Sequence, residues 1–262
     1  MMPPKPETKR LPKGKAVTIG IGIKCVDGIV LCADTQMTRS GFDKFYEHKI
    51  RFVERDDPFF SCIAFTYAGS PELMKMFFEK FSNIFKEPHY IVSLAAVRQT
   101  IDDLLDEMGD LIANDPDGLF MLCGITMHGQ PPVLLKSSGR IVCPGELCDY
   151  VGVGDSSVVR YLSKVLFQSS AITVNMASLL GTYLVLQAKT FIGGCGGETD
   201  SIQILPDGMI HIDLRQDTLD YEDRTGKLEN LFAQMISSLS NPEERKRLDQ
   251  DVERFVRGLK NI

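Results

Sequence analysis

Apolar residues recur along the chain with two different periods. Residues 17–25 and 29–33 form short apolar runs rich in β-branched side chains, which is typical of strands. The Asp27-Gly28 pair between them predicts a hairpin. From Pro71 onward, apolar residues fall three and four apart, which predicts a helix with Ser70 as its N-cap. The chain therefore mixes strand and helix patterns.

These patterns come in blocks. Helices are predicted at about residues 91–111 and 156–167 and from Thr173 onward, and strands at 51–53, 60–67, 119–127, 132–136, 141–143, 201–205 and 209–212. Helices come in pairs between groups of hairpin-linked strands, whereas a parallel βαβ fold would alternate them singly. We expect an α+β fold, a four-layer αββα sandwich in which two antiparallel sheets lie between helix pairs.

Composition and charge narrow the function classes. The chain has 262 residues, of which 44% are hydrophobic and 24% charged, with a net charge of −6. This composition is that of a globular protein, and the charge argues against a nucleic-acid partner. A basic, Pro-rich start, residues 1–17, is interpreted as a mobile arm or leader peptide, with a nucleic-acid tail as the alternative. The apolar stretch 172–192 contains Thr173, Asn175 and Lys189, so it predicts a core helix and no membrane span.

The reactive side chains give little sign of a metal or cofactor. The seven cysteines include no CxxC pair, and the four histidines lie far apart in sequence. We therefore expect no metal and no cofactor, reduced thiols and a cytoplasmic location. A phosphate-binding glycine-lysine loop is also absent from the sequence, so ATP would have to be handled by another protein.

The sharpest motif is the run from Thr18 to Asp34, TIGIGIKCVDGIVLCAD. It resembles the start of proteasome β subunits and of the bacterial HslV peptidase, which begin with Thr and pass through a hairpin to an Asp. The polar segment 35–38, the segment His48-Lys49-Ile50 and the turn Tyr67-Ala68-Gly69-Ser70 extend the resemblance. As a pattern of elements it continues to about Ile212, over some three quarters of the chain.

The resemblance implies an N-terminal-nucleophile (Ntn) hydrolase. Thr18 would be the nucleophile, with its own α-amine as base once the chain is cut before it. Lys49 would lower the pKa of that amine, and Asp34 would hold the lysine in place. The backbone N–H of Gly69 would stabilise the oxyanion. Tyr67 and Met37 would contact the substrate.

The implied activity is that of a threonine endopeptidase working inside an oligomeric ring. Its partners would be copies of itself or related subunits, an unfolded polypeptide substrate and a separate ATPase unfoldase. The expected domains are the arm 1–17, a hydrolase domain 18–215 and a C-terminal helical extension 216–262.

Three departures from the family pattern keep alternatives open. Val17, which is stiff and β-branched, stands where the family has Gly before the nucleophile. The family's Gly-Ser-Gly corresponds to residues 152–154, where Val153 lacks the hydroxyl that Asp155 or Ser156 would have to replace. Cys195 stands where a Ser is expected, and the family's Asp is absent. An inactive assembly subunit and an Ntn amidase acting on a small amide are the alternatives.

Overall fold

The computed structural model describes residues 18–38, 44–54, 60–87, 93–152, 157–167, 172–207, 209–213 and 215–238. The predicted arm, residues 1–17, and the segment 153–156 with Val153, Asp155 and Ser156 lie outside these residues. By contacts between Cα atoms the chain divides into two units, Met1–Thr218 and Leu219–Ile262. The first unit contains all the strands described below.

Twelve strands are described, and every pairing between them is antiparallel. Their bounds are β1 Ile19–Cys25, β2 Gly28–Asp34, β3 Gln36–Thr38, β4 Lys44–Tyr46, β5 Ile50–Glu54, β6 Phe60–Gly69, β7 Leu119–Met127, β8 Val133–Ser138, β9 Ile141–Pro144, β10 Cys148–Gly152, β11 Thr199–Ile204 and β12 Ile210–Ile212. One five-stranded sheet has the order β10-β1-β2-β11-β12, and the other has β5-β6-β7-β8-β9. Strands β3 and β4 form a separate pair.

The described residues also contain six helices. They are α1 Pro71–Lys86, α2 Leu94–Glu107, α3 Gly109–Asn114, α4 Ser157–Leu166, α5 Val174–Phe191 and α6 Arg215–Ser238. In this part of the chain, no helix is both long enough and apolar enough to cross a membrane. The result is a mixed α/β fold built on antiparallel sheets, as the block pattern predicts.

Alternate residues of a strand join different hydrophobic clusters. In β2, Ile29 and Leu31 belong to a cluster shared with β6, β7 and β11, whereas Val30 and Cys32 belong to one shared with α4 and α5. A third cluster unites β5, β6 and β7 with α1 and α2. Successive side chains of a strand point to opposite faces. Apolar contacts on both faces therefore explain why β2 is apolar almost throughout.

The alternation of Ile and Gly in β1 has a direct steric cause. Ile19, Ile21 and Ile23 are buried in the cluster with α4 and α5. On the opposite face a Cβ at Gly20 would lie 2.7 Å from Oγ1 of Thr66 in β6, and one at Gly22 would lie 2.8 Å from a methyl carbon of Leu134 in β8. The glycines thus allow the two five-stranded sheets to approach closely at β1.

Several local expectations are corrected. The sequence predicts Thr173 as the cap of α5, but its side chain makes no capping hydrogen bond. Instead, Oδ1 of Asp27 in the β1–β2 turn accepts a 2.9 Å hydrogen bond from the N–H of Val174. Ser70 does cap α1, through the N–H of Leu73. Strands β3, β4 and β10 have no counterpart in the prediction, because they are only three to five residues long.

Candidate active site

The antiparallel pairing brings Thr18, Asp34 and Lys49 to one place. Thr18 directly precedes β1 and Asp34 ends β2, so both lie at the open end of the β1–β2 hairpin. Lys49 directly precedes β5, whose first residue pairs with Thr66 of β6. Because Thr66 in turn lies against Gly20 of β1, the lysine reaches the hydroxyl of Thr18 from the other sheet.

The three side chains form one buried hydrogen-bonded group. The Thr18 hydroxyl donates to Oδ1 of Asp34 at 2.7 Å, and the Lys49 ammonium donates to the same oxygen at 2.7 Å. The Lys49 ammonium also donates to Oγ1 of Thr18. Thr18 is 1% exposed, and Asp34 and Lys49 are 0% exposed. Thr18 is the predicted nucleophile, Lys49 the residue predicted to lower the pKa of its α-amine, and Asp34 the residue predicted to hold the lysine. The structure brings all three into direct contact.

Backbone groups complete the shell around Asp34. Its Oδ1 also accepts from the N–H of Ile19 at 3.0 Å, and its Oδ2 accepts from the N–H of Gly196 at 3.0 Å. A buried carboxylate is costly unless its oxygens are hydrogen-bonded and its charge is paired. Here Lys49 supplies the opposite charge, and two backbone N–H groups and one hydroxyl supply the other bonds.

Burial and pairing act against each other at Lys49. Burial lowers the pKa of the ammonium, while the charge of Asp34 and its hydrogen bond oppose that shift. The neutral amine therefore becomes accessible at a lower pH than for a free lysine. A lysine of this kind can stabilise negative charge as the ammonium and accept a proton as the amine.

A glycine-rich turn, defined here as residues 193–197, closes over Asp34. Gln36 holds it on the opposite side: its side-chain amide donates to the carbonyl of Gly194 at 2.7 Å, and its backbone N–H donates to the carbonyl of Gly196 at 3.0 Å. The carbonyl of Gln36 also accepts from Lys49 at 2.6 Å. Sequence analysis missed Gln36 and Gly196, although the polar segment after Asp34 and the glycine cluster were both visible signals.

Cys195 lies within this turn and is buried. Burial raises the pKa of its thiol to about 12, and Asp34 adds to the shift while Lys49 opposes it. The thiol is therefore protonated at neutral pH, and a thiol is a far weaker nucleophile than a thiolate.

The other predicted site residues lie on β3 and β6. Tyr67 is 0% exposed and Met37 is 2% exposed, and both belong to the hydrophobic cluster that contains α1 and α2. Burial raises the pKa of the Tyr67 phenol, so it stays protonated. Gly69 has φ +106°, and a Cβ there would lie 2.3 Å from the carbonyl oxygen of Gly118. Glycine at 69 is therefore required by the backbone itself.

Gly152 packs closely against the backbone of Thr18. It pairs with Ile19 and has φ +138°, and a Cβ on it would lie 2.1 Å from the carbonyl oxygen of Thr18. Only glycine fits this close approach. The residues that would replace the missing family hydroxyl, Asp155 and Ser156, lie outside the described part of the chain.

A surface cavity of about 370 Å³ adjoins this group. It is lined by Thr35, Tyr46, Glu47, His48, Gly197 and Glu198. Thr35 and Gly197 directly follow Asp34 and Gly196, which form part of the buried group. Beside it, Nδ1 of His48 lies 3.0 Å from the carboxylate of Asp200, whose pKa is raised by burial. The cavity thus opens to solvent beside segments that hold the buried group.

Comparison by sequence identifies no relative, since no family model and no curated protein matches the chain. Comparison of folds finds solved structures with a similar fold. An Anbu (Gly-1) mutant from Hyphomicrobium sp. strain MC1 matches with a TM-score of 0.70 at 11% identity, over 84% of this chain and 97% of that one. Anbu (ancestral beta-subunit) from Yersinia bercovieri matches with a TM-score of 0.70 at 10% identity, over 82% and 97%.

A third solved structure, the helical assembly of the Anbu complex from Pseudomonas aeruginosa, matches with a TM-score of 0.63 at 12% identity, over 82% and 96%. The sequence-based resemblance to proteasome β subunits and HslV is therefore wrong as an assignment of family. These structural neighbours are Anbu proteins, one of them described as an ancestral β-subunit. At 10–12% identity, the likeness shows that the chain shares the Anbu fold.

Proposed function

We propose that the chain is a threonine hydrolase of the Ntn type, with the four-layer αββα arrangement, whose nucleophile is Thr18. One observation carries the proposal. A threonine hydroxyl, a carboxylate and an ammonium are hydrogen-bonded together with almost no exposed surface. A structural threonine before a strand has no need of a buried charge pair, which is costly to maintain.

The proposed reaction begins with cleavage of the Val17–Thr18 bond, which frees the α-amine of Thr18. That amine accepts the hydroxyl proton while Oγ1 bonds to the carbonyl carbon of an amide substrate. Negative charge then develops on the carbonyl oxygen, and the proposed donor to it is the N–H of Gly69. The C–N bond of the substrate then breaks, and the leaving amine of the substrate takes the proton from the α-amine of Thr18. Water hydrolyses the ester that remains on Thr18. Lys49, held by Asp34, keeps the α-amine in its neutral form.

The proposed substrate is a polypeptide, and the proposed working form is an oligomer. The described neighbour from Pseudomonas aeruginosa forms a helical assembly, and we extend self-assembly to this chain. Tyr67 and Met37 remain the proposed substrate contacts; since both are buried, neighbouring segments have to open for a side chain to reach them. Residues 1–17 would be the leader, 18–215 the hydrolase domain and 216–262 a helical extension.

Intact mass and N-terminal sequencing of the purified assembly test the proposal. The expected mature protein begins at Thr18, and Thr18→Ala retains the full leader. Mature wild-type protein is further expected to hydrolyse fluorogenic peptides and to form an adduct with a threonine-directed electrophile. Wild-type protein that stays uncut, and that the electrophile leaves unmodified, would contradict the proposal.

An assembly subunit without hydrolytic activity is the second candidate. The observation that favours it is Val17, whose branched side chain restricts the backbone just where self-cleavage needs freedom. It predicts a large oligomer in which every subunit keeps Val17 and no peptide is cleaved. Val17→Gly separates the two candidates, because a subunit with a competent site would then lose its leader, while an inert subunit would keep it.

A further inference from the structure

Gln36 makes an unusual number of contacts for a residue next to a buried charge pair. It is 5% exposed, and its backbone N–H, backbone carbonyl and side-chain NH2 group each have a partner. Its side-chain amide donates to the carbonyl of Gly194, its N–H donates to the carbonyl of Gly196, and its carbonyl accepts from Lys49. One residue thus joins the glycine-rich turn to the lysine ammonium.

The turn it holds is itself bonded to the site. The N–H of Gly196 donates to Oδ2 of Asp34. A Cβ at Gly196 would lie 2.6 Å from Oε1 of Gln36, so the glutamine side chain packs directly on this residue. The chain therefore forms a closed circuit in which Gln36 bonds to the turn, the turn to Asp34, Asp34 to Lys49, and Lys49 back to Gln36.

We propose that Gln36 is a positioning residue, whose amide fixes the glycine-rich turn against Asp34 and whose carbonyl fixes the Lys49 ammonium beside Thr18. The role deepens the proposed function and rests on it for its kinetic consequences. It acts through Asp34 and Lys49 and does not require that Gln36 touch the substrate.

The side-chain chemistry at this position is restrictive. A methionine fills a similar volume but has no donor, so the half-buried carbonyl of Gly194 would lose its partner. A glutamate has the right length but would present an oxygen to that carbonyl. An asparagine keeps the amide, but its side chain is one methylene, about 1.5 Å, shorter. Among these side chains glutamine alone satisfies the turn.

Loosening this circuit of hydrogen bonds is expected to lower the pKa of Lys49. The charged and titratable groups that act on the ammonium are Asp34 of β2, Asp200 of β11 and Cys195 of the turn. Burial lowers the pKa of Lys49, and these three groups, Asp34 foremost, oppose that shift. If the Gln36 carbonyl and Asp34 move away, less opposes burial, and the pKa of Lys49 falls further.

The test is a pH titration of Lys49 in the full chain, followed by the ¹³C shift of its labelled ε-carbon and assigned through Lys49→Met. Gln36→Met is expected to move the titration to lower pH than in the wild type. The matched control is Gln203→Met, which removes another buried glutamine whose amide donates to Asp213; it is expected to leave the Lys49 titration unchanged. Gly196→Ala, which presses on the Gln36 side chain, is expected to shift Lys49 in the same direction as Gln36→Met.

The kinetics of peptide hydrolysis provide a second test. Gln36→Met is expected to lower kcat for peptide hydrolysis by roughly 10- to 100-fold with little change in KM, the size of effect that a misplaced reacting group produces. An unshifted Lys49 titration in both Gln36→Met and Gly196→Ala would overturn the proposal, as would an equal shift in Gln203→Met. If wild-type protein hydrolyses nothing while Lys49 shifts only in Gln36→Met and Gly196→Ala, the positioning role stands and the proposed hydrolase function fails.

Discussion

At Lys49 an ammonium without exposed surface is balanced by one carboxylate, one hydroxyl and one backbone carbonyl. The balance is asymmetric. Removing both Lys49 and Asp34 costs little, because the desolvation cost of the pair nearly offsets its attraction. Removing only one of them leaves an uncompensated buried charge. At the residue scale the site is therefore most sensitive to changes that separate Lys49 from Asp34.

Lys49→Met is expected to destabilise the fold by about 3–5 kcal/mol, because Asp34 keeps its charge without a partner. The double variant Lys49→Met, Asp34→Asn is expected to recover much of that loss. Urea unfolding followed by circular dichroism gives both free energies of unfolding. Strict additivity of the two single variants in this cycle would contradict the pairing.

Cysteine reactivity offers a second residue-scale prediction. Burial raises the pKa of Cys195 and of Cys32 to about 12, whereas Cys143 is exposed. The thiolate is the reactive form, and at pH 8 it is almost absent at the two buried positions. Iodoacetamide at pH 8 is expected to modify Cys143 first, as read by peptide mass spectrometry, and Cys143→Ser should abolish that first adduct. Early modification of Cys195 would contradict the described burial.

At the scale of elements, the β1–β2 hairpin does more than its sequence suggests. It carries Thr18 and Asp34 at its open end, and at its turn Asp27 caps α5. Its Gly20 and Gly22 allow β1 to lie close to residues of the second sheet. One hairpin thus connects the site, a helix terminus and the packing between the sheets.

Gly22→Ala is expected to destabilise the fold by about 1–3 kcal/mol, because the added methyl group overlaps Leu134 and overpacked cores lose this much. The matched control is Gly226→Ala in α6, where a Cβ meets nothing within 4 Å. Alanine is the better helix former, so this control is expected to be neutral or to stabilise by up to about 1 kcal/mol. Thermal or urea unfolding of both variants provides the measurement, and equal effects would contradict the close packing at β1.

Asp27→Ala is expected to cost about 1 kcal/mol through loss of the α5 cap. Thr173→Ala is expected to cost less, because the Thr173 side chain makes no capping bond. The free energies of unfolding of the two single variants decide between the caps. The reverse order of effects would restore the assignment of Thr173 that the sequence suggests.

At the scale of the whole molecule, long periodic segments were predictable and contacts between distant segments were not. Helices α1 and α5 and strands β6 and β7 have runs long enough to reveal their period. Strands β3 and β10 are too short to do so. Thr18, Asp34 and Lys49 were predicted from a motif that resembles the start of proteasome-type sequences. Gln36 and Gly196 were not predicted, because their contacts span about 160 residues of sequence.

The candidate site is built from residues of both five-stranded sheets. Thr18 and Asp34 lie at the end of the β1–β2 hairpin in one five-stranded sheet, whereas Lys49 directly precedes β5 of the other. A small movement of one sheet relative to the other therefore separates these side chains before the chain unfolds globally. Mild heat or a low concentration of denaturant should thus abolish the activity of the site while most of the protein is still folded.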